Sequence, residues 1–345
     1  MSRADGLELL EGMLRIPSES GDEDRIGEWL VQRLTALGFE SRRDAAGNVH
    51  GVWGEGPTDV VLLGHMDTVP GHIDVRYEDG RLFGRGSVDA KGPLAAAICA
   101  VGRQPVAGSH RFTVIGAVEE ERSSRGARHL TARPGPDHLV VLEPSGWDGV
   151  TLGYKGSLRV GYRLAQPKGH GAGREPSAGD RAVEFIRRAQ EHAAAINEGA
   201  SLFERLDVRV LHLEMAGDGL EEVATAALGF RLPPGSDADV LMGRLELWRG
   251  EAVLECHGVE PPVRASKSTP LARAFVQAIR AQGGLPRYKL KTGTSDMNIL
   301  APAWGCPSLA YGPGESALDH TPGESVDIDE WTRGVDVLTT ALSSL

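Results

Sequence analysis

The sequence predicts an α/β protein with a mixed, mainly parallel sheet, into which a second, α+β domain is inserted. Short apolar runs of strand length alternate with helix-like stretches in the N-terminal part of the chain. A different order of segments begins near residue 155, and the first pattern returns after residue 264. At 345 residues the chain is long enough for two domains. We expect a discontinuous domain at 1–154 and 265–345 and an inserted domain at 155–264.

The first domain opens with two predicted helices. Ser20 and Glu23 have the spacing of a capping box for the second helix, and Gly38 is placed to end it. Three apolar runs and one helix then follow in the order Val60–Leu63, Pro93–Val101 (the helix), Phe112–Val118 and Leu139–Leu142. Because these runs are continuously apolar, we expect strands that are buried on both faces, as in a parallel sheet.

The inserted domain has the pattern strand, helix, strand, strand, helix, strand. Its segments are Leu158–Leu164, Asp180–Asn197, Val208–Leu213, Val223–Leu232, Val240–Leu247 and Ala252–His257. This is the order of a ferredoxin-like unit. After it, Thr269 is placed as a helix cap and Pro270 at the first helical position, so the first domain resumes there.

Composition excludes several classes of protein. A net charge of −11 argues against a nucleic-acid binder, because affinity for phosphate needs clustered Lys and Arg. No apolar stretch approaches the roughly 18 residues of a membrane span, and the N-terminus does not resemble a signal peptide, so we expect a cytoplasmic protein without membrane contact. Cys99, Cys256 and Cys306 lie far apart, which argues against disulfides and against a thiolate metal cage.

Residues that bind metals in other proteins follow each predicted strand of the first domain. In chain order they are His65, Asp67, Glu119–Glu121 and Glu143. Ligands of open α/β sheets bind beyond the carboxyl ends of the strands, so we expect these groups to converge. Asp89 in GRGSVDAKG and His320 in ALDHTPGE add two further positions. Each residue alone is typical of a turn, a solvated surface or a helix cap, and only their combination predicts a site.

Two imidazoles and several carboxylates, without thiolates, suit zinc, cobalt or manganese, and two such ions lie ~3.5–4 Å apart when a carboxylate bridges them. Asp89 is the expected bridge. Asp67 is expected to accept a hydrogen bond from His65, because residues i and i+2 of an extended segment point the same way. Glu120 and Glu121 are expected on opposite sides, one towards metal and one towards water. The three consecutive glutamates leave this register open by one residue.

Five motifs occur in a fixed order: GHMDTVPG, GRGSVDAKG, the EEE of GAVEEERSSRGARHL, LEPSG and DHTPGES. With them, the chain resembles the M20 metallopeptidase and aminoacylase family over essentially its whole length. VEEERSSRGA, LEPSGWDGVTLGYKGS and KTGTSDMN look most like the lysine-biosynthesis branch of that family. The resemblance implies a zinc-peptidase-like catalytic domain with an inserted lid and dimerisation domain, and therefore a homodimer.

The resemblance also implies roles for individual residues. Two divalent ions, zinc before cobalt, would be held by His65, Asp89, Glu121, Glu143 and His320. His65 and Glu143 would bind separate ions, with Asp89 as the bridge. Glu120 would be the general base and Asp67 would orient His65.

Three further residues are expected to contact substrate: His170, Arg231 and Asp296. His170 would come from the partner subunit. Their structural alternatives are a loop histidine, a strand-end salt bridge and a helix cap, respectively.

The implied reaction is release of lysine, and in some organisms ornithine, from an amino-group carrier protein. One alternative is a deacetylase of N-acetyl-ornithine or N-acetyl-lysine, or a dipeptidase. A second is a catalytically silent metal- or peptide-binding protein, and a third is an interaction protein without metal. Because the carrier of the resembling system is acidic, docking is expected to need a basic rim near Arg122 to Arg133.

Overall fold

The computed structural model describes residues 1–345, which form two compact units. The first contains Met1–Gly153, Ala265–Leu290 and Ser295–Leu345, and the second contains Tyr154–Arg264 and Lys291–Thr294. Each unit has its own cluster of buried apolar side chains. None of the helices combines the length and the apolar composition that a membrane crossing requires.

The structure has nine α-helices and sixteen strands. The helices are α1 Arg3–Leu14, α2 Asp24–Ala36, α3 Lys91–Val101, α4 Arg125–Leu130, α5 Ala178–Ile196, α6 Ala238–Trp248, α7 Pro270–Ala281, α8 Met297–Trp304 and α9 Ile328–Ser343. The strands are β1 Glu40–Arg43, β2 Val49–Trp53, β3 Thr58–His65, β4 Arg76–Glu78, β5 Arg81–Phe83, β6 His110–Ala117, β7 His138–Val141, β8 Gly149–Tyr154, β9 Gly156–Pro167, β10 Asp207–Gly217, β11 Glu221–Leu232, β12 Val253–Glu260, β13 Val263–Arg264, β14 Arg287–Lys291, β15 Ser308–Ala310 and β16 Ser325–Asp327.

The central sheet of the first unit runs in the order β1-β2-β6-β3-β7-β15-β8. Its middle strands, β6, β3, β7 and β15, are parallel to one another, while β1, β2 and β8 pair antiparallel with their neighbours. The predicted apolar runs lie in β3, β6 and β7, whose central residues are fully buried. The predicted α/β class and the parallel core of a mixed sheet are confirmed.

Helix α3 is buried along its whole length, and this explains why its sequence, KGPLAAAICAV, is almost entirely small and apolar. It packs against β3 and β6 on one side and against α1 and α9 on the other. Its first turn carries Pro93, as expected, and the helix begins two residues after Asp89. A rigid helix therefore anchors the loop that carries Asp89.

The second unit contains a four-stranded antiparallel sheet in the order β10-β11-β9-β12. Its elements occur as β9, α5, β10, β11, α6, β12, which is the predicted ferredoxin-like order. In β9 and β11 every second residue is buried, since one face of these strands packs against the helices. The other face carries no helix of this unit.

The local helix signals give a mixed result. Thr269 caps α7 by accepting a hydrogen bond from the Ala272 N–H at 3.1 Å, as predicted. Gly38 follows the end of α2 with φ +93°, also as predicted. The capping box of Ser20 and Glu23 is wrong, because α2 begins only at Asp24 and has no side-chain cap. Both side chains are instead used by the site described next.

Candidate metal centre

Parallel pairing brings the predicted ligands to one edge of the central sheet. His65 is the last residue of β3, which pairs in parallel with β6 and with β7. Ligand atoms of three groups lie within 4.8 Å of one another: His65, Asp89 and Glu143; His65, Glu120 and Glu121; and Asp89, Glu121 and His320. Because the groups share members, these six residues form one cluster, called here the acid–histidine cluster.

Asp89 occupies the middle of the acid–histidine cluster. Its Oδ1 lies 3.1 Å from Nε2 of His65, and its Oδ2 lies 3.1 Å from Nε2 of His320. His320 Nε2 also lies 2.7 Å from Oε1 of Glu121. Each oxygen of one carboxylate therefore faces a different histidine, which is the geometry that a bridging carboxylate requires. The structure places Glu143 beside His65 and Asp89, so the expected separation of His65 from Glu143 is wrong.

The electrostatics of the cluster reflect an excess of acid. Hydrogen bonds to Asp89 and Glu121 raise the pKa of His320 to about 10. Burial alone would lower the pKa of His65, but its bonds with Asp67 and Asp89 raise it well above the usual value. Burial would raise the pKa of Asp89, but His320 and His65 lower it.

The donor set fits divalent metal ions. The acid–histidine cluster holds four carboxylates and two imidazoles, and His65 is almost fully buried while Asp89 and Glu143 are nearly so. Such a concentration of negative charge away from water is costly unless cations offset it. Imidazole nitrogen and carboxylate oxygen, without thiolate, are ligands of zinc, cobalt and manganese.

The three consecutive glutamates do not form an extended segment. Strand β6 ends at Ala117, and Glu119 has a left-handed backbone with φ +56°. The Glu119 carboxylate accepts hydrogen bonds from Ser123 Oγ at 2.6 Å and Arg125 Nε at 2.7 Å, outside the cluster. Glu120 and Glu121 follow in a turn, so the expectation that they alternate as strand residues is wrong, although both reach the cluster.

Burial and neighbouring carboxylates favour the neutral form of Glu120. Burial raises its pKa well above the usual value. His65 lowers it, but the carboxylates of Glu143, Asp296 and Glu121 raise it further. Glu120 therefore lies close to several other carboxylates.

Asp67 holds two parts of the site in place. His65 Nδ1 donates to the backbone carbonyl of Asp67 at 2.9 Å, whereas the Asp67 carboxylate lies farther away, at 3.4 Å. That carboxylate accepts the N–H groups of Glu120 and Glu121, both at 3.1 Å, and Ser20 Oγ at 2.6 Å. The predicted contact with His65 is thus made chiefly through the backbone, and the buried side chain instead anchors the glutamate turn.

Glu324 is a site residue that the sequence reasoning missed. Its Oε1 accepts the backbone N–H groups of Gly86, Val88 and Asp89 at 3.0–3.1 Å, and its Oε2 accepts Arg85 Nη1 at 2.9 Å. Because Glu324 follows His320 by four residues, it ties the His320 loop to the Asp89 loop. The available signal was the second acid of DHTPGES, four residues after a predicted ligand.

Glu23 is a second missed residue. Its Oε1 accepts the N–H groups of Gly21 and Glu119, both at 3.0 Å. It therefore supports the start of the glutamate turn, while Ser20 supports Asp67. The sequence correctly indicated that Ser20 and Glu23 bind nearby groups, but they stabilise turns of the site and not the start of α2. Polar side chains can stabilise turns as well as helix ends.

The predicted substrate contacts lie in both units. Asp296 is buried in the first unit, precedes α8 without capping it, and lies close enough to Glu120 to raise its pKa. The helix-cap alternative for Asp296 is therefore wrong. His170 and Arg231 belong to the second unit. His170 Nδ1 accepts the Ala172 N–H at 3.1 Å, and Arg231 is half-buried on β11 without the ion pair that its structural alternative required.

Comparisons with known proteins agree with this geometry. The structure matches an M20 family metallo-carboxypeptidase from Sulfolobus solfataricus with a TM-score of 0.80 and 19% identity, covering 99% of both chains. It matches aminopeptidase PepT from Bacillus cereus with a TM-score of 0.81 and 17% identity, covering 100% of this chain and 99% of that one. These two matches show that the chain shares its fold with these peptidases.

A sequence profile described as peptidase family M20/M25/M40 matches residues 61–344, and the chain belongs to this family. The LysW-lysine hydrolase of Deinococcus radiodurans is 46% identical over 98% of this chain and 96% of its own length. The putative LysW-lysine/LysW-ornithine hydrolase of Thermococcus kodakarensis is 38% identical over 100% of this chain and 93% of its own length. M20 metallopeptidases use divalent metals, as the donor set of the cluster requires.

Proposed function

We propose that this protein hydrolyses the amide that joins lysine, or ornithine, to an amino-group carrier protein. The observation that carries the hydrolytic part is the position of Asp89 between His65 and His320 with Glu120 beside them. The substrate is suggested by the near-full-length similarity to the LysW-lysine hydrolase of Deinococcus radiodurans.

In this proposal the acid–histidine cluster would hold two divalent ions. Zinc is the expected metal, and cobalt is the alternative. One would be held by His65, Asp89 and Glu143 and the other by Asp89, Glu121 and His320, which are the two groups that share Asp89. Divalent ions at such a site polarise an amide carbonyl and make water more acidic.

The chain's own residues then move the protons. The Glu120 carboxylate accepts a proton from the water whose oxygen attacks the carbonyl carbon. It delivers that proton to the nitrogen of the departing amino acid as the C–N bond breaks. Asp67 keeps Glu120 in position through its backbone N–H, and Asp296 and Arg231 are the proposed contacts of the substrate.

The decisive experiment offers purified protein four substrates side by side: carrier-linked lysine, carrier-linked ornithine, N-acetyl-lysine and N-acetyl-ornithine. Turnover of a carrier-linked substrate with a much higher kcat/KM supports the proposal. Exclusive turnover of the acetylated amino acids replaces it with the deacetylase alternative. Bound metal without turnover of any substrate, dipeptides included, replaces it with the silent binding protein.

We further propose that the second unit mediates a homodimer and that His170 serves the site of the partner subunit. The test mixes two inactive variants, His170→Ala and Glu120→Gln, and allows subunits to exchange. A mixed dimer then contains one site with an intact Glu120 and an intact His170, so activity returns. If activity does not return while native mass spectrometry shows mixed dimers, His170 does not act across subunits.

A further inference from the structure

The face of the second unit's sheet that carries no helix presents four arginines, and three of them lie side by side on neighbouring strands, while Arg163 lies four residues farther along β9. Arg159 on β9 lies between the buried Leu158 and Val160, so its side chain points away from α5 and α6. Arg231 on β11 lies between two buried residues in the same way. Arg209 on β10 follows Val208, which packs against the core, and is exposed. These three residues are called here the arginine face.

Strand register places the three arginines next to one another. Gly229 on β11 pairs with Arg209 on one side and with Arg159 on the other. Neighbouring strands are about 4.8 Å apart, so the backbones of Arg159 and Arg209 are separated by about 10 Å. Arg231 lies two residues beyond Gly229 on the strand between them. A β-bulge in β10 turns Leu211 over Gly229, whose missing side chain leaves room for it.

None of the three arginines forms an ion pair or a side-chain hydrogen bond within the chain. Burial lowers the pKa of Arg231, and the charges of Arg159 and Arg209 lower it further. Asp207 is the direct cross-strand partner of Arg231 and raises its pKa, but Lys155 Nζ binds Asp207 at 2.6 Å. Arg159 and Arg209 therefore have no acidic partner within the chain, and the carboxylate opposite Arg231 is also bound by Lys155.

The segment from Arg122 to Arg133, which was expected to be the basic rim, is used differently. Arg125 binds Glu119 and the carbonyl of Ala46. Arg133 binds Asp59 at 3.2 Å, and Arg128 donates to the carbonyl of Ser123. Only Arg122 of these four arginines has a side chain without such a bond. Most cations of this segment stabilise the fold and are not available to a partner.

We propose that the arginine face binds a carboxylate-rich segment of a protein partner. Guanidinium groups match carboxylates in geometry and form charge-assisted hydrogen bonds with them. A single carboxylate engages one or two guanidinium groups, whereas these three are spread over three strands around the apolar Leu211. In a chain of net charge −11, an acidic partner is attracted only to a local group of unpaired cations.

This inference deepens the proposed function, since the partner it describes is the carrier protein of that proposal. It assigns Arg159 and Arg209 to recognition of carboxylates of the carrier. Arg231 keeps the role proposed above, which is contact with the substrate. The arginine face would thus favour a macromolecular substrate over a free acylated amino acid.

The test measures binding of a fluorescent octaglutamate peptide by anisotropy. The wild-type chain should bind this peptide and should not bind octaglutamine, and added salt should weaken the binding. The double variant Arg159→Gln/Arg209→Gln should bind at least about tenfold more weakly, because two charge-assisted contacts are lost. The double variant Arg159→Lys/Arg209→Lys should bind with intermediate affinity, since charge remains but the planar fork is lost.

The matched control is Arg174→Gln/Arg244→Gln, which changes the net charge equally at two exposed arginines of the same unit that also lack ion pairs. It should bind octaglutamate like the wild type. Equal weakening in both double variants would show general charge attraction and overturn the proposal, as would absence of octaglutamate binding by the wild type.

Kinetics separate this inference from the proposed function. If the wild type hydrolyses carrier-linked lysine and the Arg159→Gln/Arg209→Gln variant does so with an unchanged KM, the proposed function stands and the arginine face fails. If the wild type binds octaglutamate through these arginines but does not hydrolyse carrier-linked lysine, the binding surface stands and the proposed function fails.

Discussion

The charged residues of the two proposed functional surfaces, one in each unit, differ in burial and in pairing. In the first unit, charged groups at the ends of parallel strands are buried and bound to one another, as Asp89 is to His65 and His320. In the second unit, charged groups on the open face of an antiparallel sheet, such as Arg159 and Arg209, have no partner in the chain. Parallel strands gather their ends at one edge, whereas side chains along a sheet face stay spread out.

This difference teaches where each kind of function can be built. A concentrated cluster needs supporting bonds from several chain segments, as Glu324 and Asp67 supply. A spread surface needs only regular strand register. We therefore expect substitutions in the cluster to have large and specific effects, and substitutions at surface charges to have small ones.

The largest effect is expected at Glu120. The variant Glu120→Gln keeps the size of the side chain but removes the base, so kcat should fall by about 10²–10⁴-fold. Metal content, measured by elemental analysis, should remain that of the wild type. Glu119→Gln is the matched control, because Glu119 binds Ser123 and Arg125 outside the cluster. Equal loss of kcat in both variants would contradict the assignment.

A smaller effect is expected at Glu324, which acts only through the loop it holds. The variant Glu324→Gln places an amide N–H₂ where a carboxylate oxygen accepts Arg85, so the Asp89 loop should loosen. Affinity for zinc, measured by competition with a chelator, should fall by about 10–100-fold, as for other residues that support ligands.

The control for Glu324 is Glu330→Gln, since Glu330 also accepts two backbone N–H groups, those of Trp147 and Gly314. It should lower the melting temperature without changing zinc affinity. If both variants lose zinc affinity to the same degree, Glu324 has only a general structural role.

Asp44 and His50 form an acid–histidine pair of the first unit that lies outside the acid–histidine cluster. A substitution at Asp44 therefore shows what such a pair contributes to stability alone. Burial would raise its pKa, but hydrogen bonds from His50 and Asn48 lower it to about 2. A depressed folded-state pKa stabilises the protein above the ordinary value of 3.8, and this stabilisation is lost as the pH falls towards 2.

The variant Asp44→Asn should therefore lose on the order of 2 kcal/mol of unfolding free energy at pH 7. The difference from the wild type, measured by urea unfolding, should shrink as the pH is lowered from 4 towards about 2. Asp74→Asn is the control, because the His72–Asp74 pair is exposed. A deficit of Asp44→Asn that does not depend on pH would refute this account.

The smallest effect is expected for an exposed ion pair of the second unit. Arg181 Nη1 lies 3.2 Å from Oε2 of Glu251, and the side chain of Arg181 is partly exposed while that of Glu251 is largely exposed. A double-mutant cycle with alanine should give a coupling free energy of at most about 1 kcal/mol. A coupling free energy several times larger would contradict the expectation that surface charges have small effects compared with the cluster.

The sequence predicted most of the fold because its signals are local or periodic. Continuous apolar runs marked β3, β6 and β7, and the Thr269–Pro270 pair marked the start of α7. The strand-end rule for open sheets then brought the predicted ligands to one edge. Local reasoning failed where a side chain binds a distant segment of the chain. Ser20, for example, donates its hydroxyl to Asp67 and does not cap α2 as predicted.

By itself, the sequence determined the elements, their order, and the kinds of donor atom at the strand ends, since these depend on residue type and spacing. Tertiary structure alone decided that Glu324 holds the Asp89 loop across more than 230 residues of chain. It also decided that Glu119 turns away while Glu120 and Glu121 join the cluster, and that Arg159 and Arg209 flank Gly229. Such facts depend on which distant segments meet in space, and no local pattern in the chain records that.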